Sequence, residues 1–253
     1  MPVENDLEQK RQSCQRMYES GQLTEASRLL SECLAIDHKD PRTIELQGMI
    51  LYSHRQYRES VRQLETASVH VPLRLVAQTC LAHGYAQIGK RQLSCDLLQA
   101  LSERPQISVE LLLQVARGLD FVDRPDLAVE TCRKASLQRP NSAQVWYDMG
   151  FYIGRCGGEP SEVEALARKA ISIAPGNTRF RVGLCGFLSR QDRLADAYTV
   201  VADLTKAQIE SVCCASCLQR MTTVYEKARD YRRVVIARQQ LVLLPPGNDD
   251  CGA

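Results

Sequence analysis

The chain has 253 residues, of which 25% are charged and 44% hydrophobic. Thirty-two Lys and Arg residues against 30 Asp and Glu leave a formal charge of +2, too small to indicate a nucleic-acid or membrane-surface binder. The apolar content argues against intrinsic disorder, and no apolar run approaches the roughly 20 residues of a membrane span. The first ten residues are polar and acidic, unlike a signal peptide, so we expect a cytoplasmic protein.

Small residues recur along the chain with a period of 34. The first small column is Cys14, Gly48, Ala82, Ala116 and Gly150, with Cys185 one residue late. The second small column is Ala26, Ser60, Ser94, Ala128 and Ala197. A third column holds Cys33, Ala67, Leu101, Ala135, Ala170 and Leu204, and a proline column holds Pro72, Pro140 and Pro175. Several columns that share one period and one slip indicate a tandem repeat.

Each repeat is predicted to be a pair of helices, because apolar residues recur at spacings of three and four, stop, and then recur. Asp40-Pro41 and Asn141 suit the starts of first helices, whereas 123–126 and Glu159-Pro160 suit the starts of second helices. Gly21, Gly89 and Gly157 suit the turn within a pair. The predicted repeats are 7–40, 41–74, 75–108, 109–142, 143–177, 178–211 and 212–246, followed by a disordered tail over 247–253.

The repeat resembles the tetratricopeptide repeat (TPR) family, most clearly in Trp146-x2-Met149-Gly150-x2-Ile153, followed by Ala170 and Pro175. The third repeat supplies Leu81-Ala82-x2-Tyr85 and Gly89. The resemblance implies an all-α fold, a right-handed α-solenoid of about seven antiparallel helix-turn-helix repeats. It also implies a concave groove, lined by the first helices, of the kind that holds peptides in this family.

The resemblance places fourteen residues along that groove. They are Arg11, Gln15, Tyr18, Glu45, Met49, Tyr52, His83, Leu113, Arg117, Tyr147, Phe151, Arg155, Arg179 and Arg190. Aromatic and Met side chains with spaced Arg suit a peptide or protein partner that carries acidic and apolar side chains. The alternative is that Tyr52, Tyr147 and Phe151 pack between repeats, as helical aromatic residues often do.

The groove predicts a protein–protein interaction scaffold, and the alternative is an assembly or secretion chaperone that covers an apolar segment of one client. The clamp that holds the C-terminal carboxylate of heat-shock chaperones is not reproduced. Its places hold Arg11, Gln15, Leu46, Val76 and Cys80, and the last three lack the required donors. A pilus or envelope assembly factor is disfavoured, because no apolar segment precedes Cys14. The oligomeric state stays open.

The eleven cysteines include a CxxC spacing at Cys214 and Cys217, but no second pair completes a zinc site. A redox role for this pair stays open, because the start of a helix lowers the pKa of a thiol. The simpler interpretation is that Cys replaces Ala as a small apolar filler. We predict no enzyme activity, metal or cofactor, since no catalytic motif is present. Three of the four histidines (His38, His54, His70 and His83) fall near helix ends.

Overall fold

The computed structural model describes residues 2–245, and every regular element in that range is an α-helix. The predicted tail over 247–253 and Pro246 lie outside the described residues. The helices α1 to α15 are Pro2–Glu19, Leu23–Ile36, Pro41–Ser53, Tyr57–His70, Leu75–Gln87, Arg91–Ser102, Val109–Phe121, Pro125–Gln138, Ala143–Arg155, Pro160–Ile173, Thr178–Arg190, Leu194–Val201, Lys206–Glu210, Ala215–Lys227 and Tyr231–Leu243. The predicted all-α fold of consecutive helix pairs is confirmed.

The chain folds as two compact units, 1–131 and 132–253, whose boundary falls within α8. Apolar clusters in the first unit surround Leu46 and Leu64, and a cluster in the second unit surrounds Leu188 and Tyr225. The short helix α13 adds an element between α12 and the last pair, α14 and α15. The single superhelix predicted over 7–246 stays a prediction.

The turn within each helix pair contains one residue in the left-handed backbone region. These residues are Gly21, Arg55, Gly89, Asp123, Gly157, Asp192 and Arg229, with φ between 58° and 83°. The N–H of the following residue donates to a carbonyl five residues earlier, as from Lys90 to Tyr85 at 2.8 Å. This bond satisfies a carbonyl that the end of the first helix would otherwise leave open. The three predicted glycine turns are confirmed.

The small columns are the places where the two helices of a pair touch. Cys14 and Ala26 have no exposed surface, and the thiol of Cys14 donates to the carbonyl of Ala26 at 3.1 Å. In the next pair, the hydroxyl of Ser60 donates to the carbonyl of Gly48 at 2.7 Å. Contacts of this length bring side chain against backbone, which a large residue in either column would prevent.

The helix ends follow the predicted signals with one small difference. Asp40 caps α3, since its carboxylate accepts the N–H of Thr43 at 2.7 Å, and Pro41 is the first helical residue. The helices α4, α8 and α10 each end two residues before a proline of the proline column. The helix predicted to start near Asn141 begins at Ala143, with Ser142 as its N-cap.

Glu45 and Met49 are inside the first unit, which corrects their predicted position on the groove wall. Glu45 has no exposed surface and accepts the N–H of Arg74 at 2.6 Å, and Nη1 of Arg42 lies 2.9 Å from its carboxylate. Met49 is only 3% exposed and packs in an apolar cluster. Their neighbours cover them, so neither side chain is available to a partner.

The one tryptophan of the chain lies in the second unit, at the start of α9. The indole N–H of Trp146 donates to the carbonyl of Pro140 at 2.7 Å. Nζ of Lys169, on α10, lies 3.2 Å from the ring centroid, which is a cation–π contact. The indole therefore joins the loop before α9 to the outer surface of α10.

Replacing Gly150 by Leu should lower the free energy of unfolding by about 1–3 kcal/mol, because it overpacks the contact between α9 and α10. A β-carbon placed on Gly150 would lie 3.2 Å from Cβ of Leu166 and 3.3 Å from the carbonyl oxygen of Val163. Urea denaturation measures the change. Gly154→Leu in the same helix is the control, since its β-carbon would meet Val163 at an ordinary 3.7 Å. Equal effects of the two variants would contradict the close approach.

Glycine exchange at the turns should change stability in opposite directions. Gly89→Ala should lower the free energy of unfolding by about 1 kcal/mol, because a residue with a β-carbon is strained at the φ of 83° that Gly89 adopts. Nothing lies within 4 Å of the added β-carbon, so the loss would come from the backbone and not from a clash. Arg55→Gly should raise the free energy of unfolding by about 0.5–1 kcal/mol. The backbone strain that glycine relieves in the folded state is larger than the entropic cost of the greater flexibility that glycine gives the unfolded chain. Thermal unfolding of both variants tests this, and a loss of stability in Arg55→Gly would refute it.

Candidate functional site

A cleft of about 600 Å³ lies in the first unit between its first helices. Its lining residues are Tyr18, Glu19, Gly21, Leu23, Tyr52, Ser53, Val76, Thr79, Cys80, His83, Gln114 and Arg117. Four of them are predicted groove residues, and each comes from a different helix: α1, α3, α5 or α7. The repeat register therefore brings the four residues to one surface: Tyr18 and Tyr52 are 34 residues apart, as are His83 and Arg117, and the two pairs are offset by one helical turn.

Hydrogen bonds and ring contacts order the wall of this first cleft. Ser53 donates to the hydroxyl of Tyr18 at 3.5 Å, and that hydroxyl lies 4.0 Å from Sγ of Cys80. The rings of Tyr52 and His83 meet edge to face, with centroids 6.3 Å apart. Nε2 of His83 lies 3.1 Å from the carbonyl oxygen of Gln114, to which it donates when protonated there.

Three titratable side chains of the first cleft, Tyr52, Cys80 and His83, are held in their neutral forms. Burial lowers the pKa of His83, although its hydrogen bond to Gln114 opposes the shift. Burial also raises the pKa of Tyr52 to about 12 and that of the Cys80 thiol to about 11. At neutral pH these three side chains carry no charge, so they offer ring surfaces and hydrogen bonds and no activated nucleophile.

A second cleft, of about 370 Å³, lies in the second unit between α9, α10 and α11. Its lining residues are Tyr147, Gly150, Phe151, Gly154, Arg155, Val163, Ala167, Gly183, Leu184, Phe187, Arg190 and Gln191. Tyr147, Phe151, Arg155 and Arg190 are predicted groove residues. We call this surface the Phe151 cleft.

Tyr147 forms a packed wall of the Phe151 cleft. Its ring lies 4.7 Å from the ring of Phe180, and the guanidinium carbon of Arg179 lies 5.8 Å from the centroid of Tyr147. A β-carbon on Gly183 would overlap the Tyr147 hydroxyl, so the glycine makes room for it. For Tyr147 the packing interpretation is therefore supported, although part of the side chain still faces the cleft.

Phe151 presents apolar surface to solvent in this cleft. Its side chain is 42% exposed, and its ring meets Tyr152 edge to face at 5.5 Å. Phe187, on α11, is half-buried and lines the same cleft. An exposed aromatic side chain beside a second one, with glycines Gly154 and Gly183 opening the space, is a suitable seat for one apolar side chain of a ligand.

Two guanidinium groups lie near Gly186, beside the Phe151 cleft. A β-carbon on Gly186 would lie 3.8 Å from Nη1 of Arg190 and 3.9 Å from Nη1 of Arg220. Among the described residues, no carboxylate forms an ion pair with either guanidinium. The sequence of α11 contains no Asp or Glu at all. The arrangement leaves unneutralised positive charge beside an apolar cleft.

Four other predicted groove residues lie outside both clefts. Arg11 pairs with Asp40 at 2.7 Å and with Glu8, and the amide of Gln15 donates to Glu19 at 2.7 Å. Leu113 is half-buried on α7. The last, Arg179, stacks on Tyr147. Arg11 and Gln15 are occupied by contacts within the first unit.

Several residues at these surfaces were not among the predicted groove residues, and four of them contribute to the geometry described above. Phe187 and Gly183 lie one turn apart on α11, and Phe187 is three residues before Arg190. That spacing places them on one helix face and was a usable signal. Gln114 and Arg220 had no such signal. Gln114 contributes its backbone carbonyl, which lies next to Nε2 of His83, and Arg220 contributes a guanidinium that lies near Gly186 of α11.

Most of the described cysteines are small buried side chains, whereas Cys156 and Cys213 are exposed. Cys14, Cys33, Cys80, Cys95, Cys132 and Cys185 are buried thiols outside disulfides. Burial raises the pKa of Cys185 to about 11 and that of Cys14 to about 12. The thiol of Cys214 caps α14 by accepting the N–H of Cys217 at 3.4 Å. Within 2–245, no three His, Cys, Asp or Glu side chains are grouped as metal ligands, and no helix is long and apolar enough to cross a membrane.

Tyr147→Ala should lower the free energy of unfolding by about 2–3 kcal/mol, whereas Phe151→Ala should change it by less than about 0.5 kcal/mol. The reason is that Tyr147 fills the space between α9 and α11, while the side chain of Phe151 is 42% exposed and makes fewer contacts that truncation would remove. Chemical denaturation of the two variants, one helical turn apart, provides the comparison. Similar losses in both would show that Phe151 is a packing residue.

No family model and no curated protein sequence matches the chain. Among solved structures, the C-terminal part of a TPR repeat-containing protein from Cytophaga hutchinsonii is 15% identical, with 95% of this chain and 97% of that chain covered and a TM-score of 0.61. The pilF protein of Pseudomonas aeruginosa is 11% identical over 81% of this chain and 92% of its own, with a TM-score of 0.62.

YrrB, whose structure is described as that of a TPR protein with an unusual peptide-binding site, is 16% identical. The alignment covers 70% of this chain and 94% of YrrB, with a TM-score of 0.54. Identities this low carry information about the fold alone. Together with the helix pairs and the 34-residue register, they show that the chain has the tetratricopeptide repeat fold.

Proposed function

We propose that this chain is a protein–protein interaction scaffold that binds a segment of a partner protein in the Phe151 cleft. The observation that carries the proposal is the exposed Phe151 ring in a cleft whose edge bears Arg190, which has no acidic partner among the described residues. The unusual peptide-binding site of YrrB supports the general use of this fold for binding. It says nothing about which peptide this chain would take.

The apolar part of the cleft favours a partner segment with one large apolar side chain. Phe151 and Phe187 border a space of about 370 Å³, which suits one Leu, Met or aromatic side chain. Burying an apolar side chain of that size contributes about 1.5–3 kcal/mol. One such anchor needs additional contacts to give a stable complex, which the surrounding charges are placed to supply.

The arginine charges beside the cleft favour an acidic residue in the same partner segment. Arg190 and Arg220 share one neighbourhood without an acidic partner among the described residues, so a carboxylate of the ligand would relieve their mutual repulsion. Arginine forms bidentate hydrogen bonds with carboxylates, which adds direction to the attraction. We therefore propose a segment in which Asp or Glu lies within a few residues of an apolar anchor.

The cleft of the first unit is proposed as a separate contact surface. Tyr18, Tyr52 and His83 offer rings and hydrogen bonds there, and Arg117 adds a positive charge at its edge. This chemistry suits polar and aromatic side chains of a partner better than a long apolar segment. It favours a scaffold over a chaperone that covers apolar segments.

Selection of a phage-displayed library of random 12-residue peptides against the full chain tests the proposal. Selected peptides should combine one large apolar residue with nearby Asp or Glu. Phe151→Ala should weaken their binding at least about tenfold, since about 1.4 kcal/mol corresponds to a factor of ten. Arg190→Glu should weaken it further and remove or reverse the weakening of binding by salt, because the attraction to the acidic residue is replaced by repulsion.

Arg62→Glu, on the exposed face of α4, is the control and should leave binding unchanged. Fluorescence anisotropy with labelled peptides measures each affinity. Binding that neither Phe151→Ala nor Arg190→Glu weakens would refute the proposed site. Selected peptides that are apolar throughout, without any acid, would favour the chaperone alternative instead.

A further inference from the structure

The last helix of the second unit, α15, has an exposed apolar face. Tyr231 is 67% exposed, Val235 53% and Val242 84%. Their spacings of four and seven residues place them in one stripe along the helix. Leu243, 76% exposed, lies at the edge of the same side. We call these four residues the α15 face.

The repeat register shows what covers the corresponding face in other pairs. Val235 is the sixth residue after the left-handed Arg229, as Val61 is after Arg55, and Val61 is only 3% exposed. Cγ2 of Val61 lies 2.8 Å from where a β-carbon of Gly84 would be. Gly84 is on α5, the first helix of the following pair. The α15 face is therefore shaped to receive another helix.

An Arg in this face makes an ordinary repeat helix unsuitable as the occupant. The ninth residue after the left-handed turn residue is buried Leu64 in the second pair and buried Leu98 in the third. Leu98 also contacts the following helix, since Cδ1 lies 2.8 Å from a β-carbon placed on Gly118. In α15 this position is Arg238, whose side chain is 65% exposed.

One uncompensated positive charge lies beside the stripe. The sequence of α15 contains three Arg and no Asp or Glu. Arg233 pairs with Asp230 at 2.6 Å, and Arg238 pairs with Glu226 at 2.5 Å. Arg232 forms no ion pair with any residue in the described part of the chain. A helix that covers this face would meet uncompensated Arg232, so acidic flanks on that helix would be attracted.

We infer that the α15 face docks an amphipathic helix of another protein, with small and apolar residues in its stripe and Asp or Glu on its flanks. A second copy of α15 is a poor occupant, because it would bring two Arg-bearing faces together. Among the described side chains of α1, the exposed ones are polar or charged, including Asn5, Asp6, Gln9, Gln12 and Arg16, so α1 is a poor match for an apolar face in head-to-tail stacking of copies. This site is distinct from the Phe151 cleft.

Two synthetic helical peptides test the inference with the full chain. Both carry Ala, Leu and Gly at the spacing of Ala77, Leu81 and Gly84, and their flanking positions hold Glu in one peptide and Lys in the other. The Glu peptide should bind at least tenfold more tightly in fluorescence anisotropy. Val235→Asp should weaken that binding at least tenfold, and Arg232→Glu should remove the preference for Glu over Lys.

Val69→Asp is the matched control, since Val69 is an isolated apolar residue with 80% exposure on α4, and it should leave binding unchanged. Circular dichroism of every variant confirms that the helices remain formed. Equal affinity for the two peptides, or affinity that Val235→Asp leaves intact, would overturn the inference. A concentration-dependent dimer in sedimentation that Val235→Asp abolishes would assign the face to a second copy instead. Loss of peptide binding in Phe151→Ala would show that the peptide binds in the Phe151 cleft and not on the α15 face, which would also overturn the inference.

Discussion

The close contact between the two helices of each pair is the constraint on which the rest of this structure depends. Cys14 bonds directly to the carbonyl of Ala26, and Ser60 to that of Gly48, so each small side chain touches the backbone of the other helix. Helices at this separation have no room for larger residues at the crossing. The left-handed turn follows from the same geometry, because it reverses the chain within three or four residues.

The two clefts arise because successive first helices repeat the same face at intervals of 34 residues. In the first unit this register aligns Tyr18, Tyr52 and His83, which come from three different pairs. In the second unit, the missing side chain of Gly183 admits Tyr147, and Phe151 remains exposed one turn later. Similar backbones therefore produce clefts of different chemistry.

Much of the fold was predictable because it depends on the spacing of small and apolar residues along the chain, which can be read directly from the sequence. Left-handed conformations at Arg55, Asp123, Asp192 and Arg229 were not predicted, because at these turns no glycine marks the position and the geometry of the helix pair imposes the conformation. The groove register could not show that Arg42 and Arg74 enclose Glu45. Burial of that kind depends on contacts between residues about 30 positions apart, which no local pattern reveals.

The position of Trp146 has an optical consequence. It is the only tryptophan in the chain, and its hydrogen bond to Pro140 and its contact with Lys169 exist only while the second unit is folded. Selectively excited indole emission therefore follows the melting of that unit alone, whereas far-ultraviolet circular dichroism follows helices throughout the chain. Any separation between the two melting curves measures how far the folding of the two units is coupled.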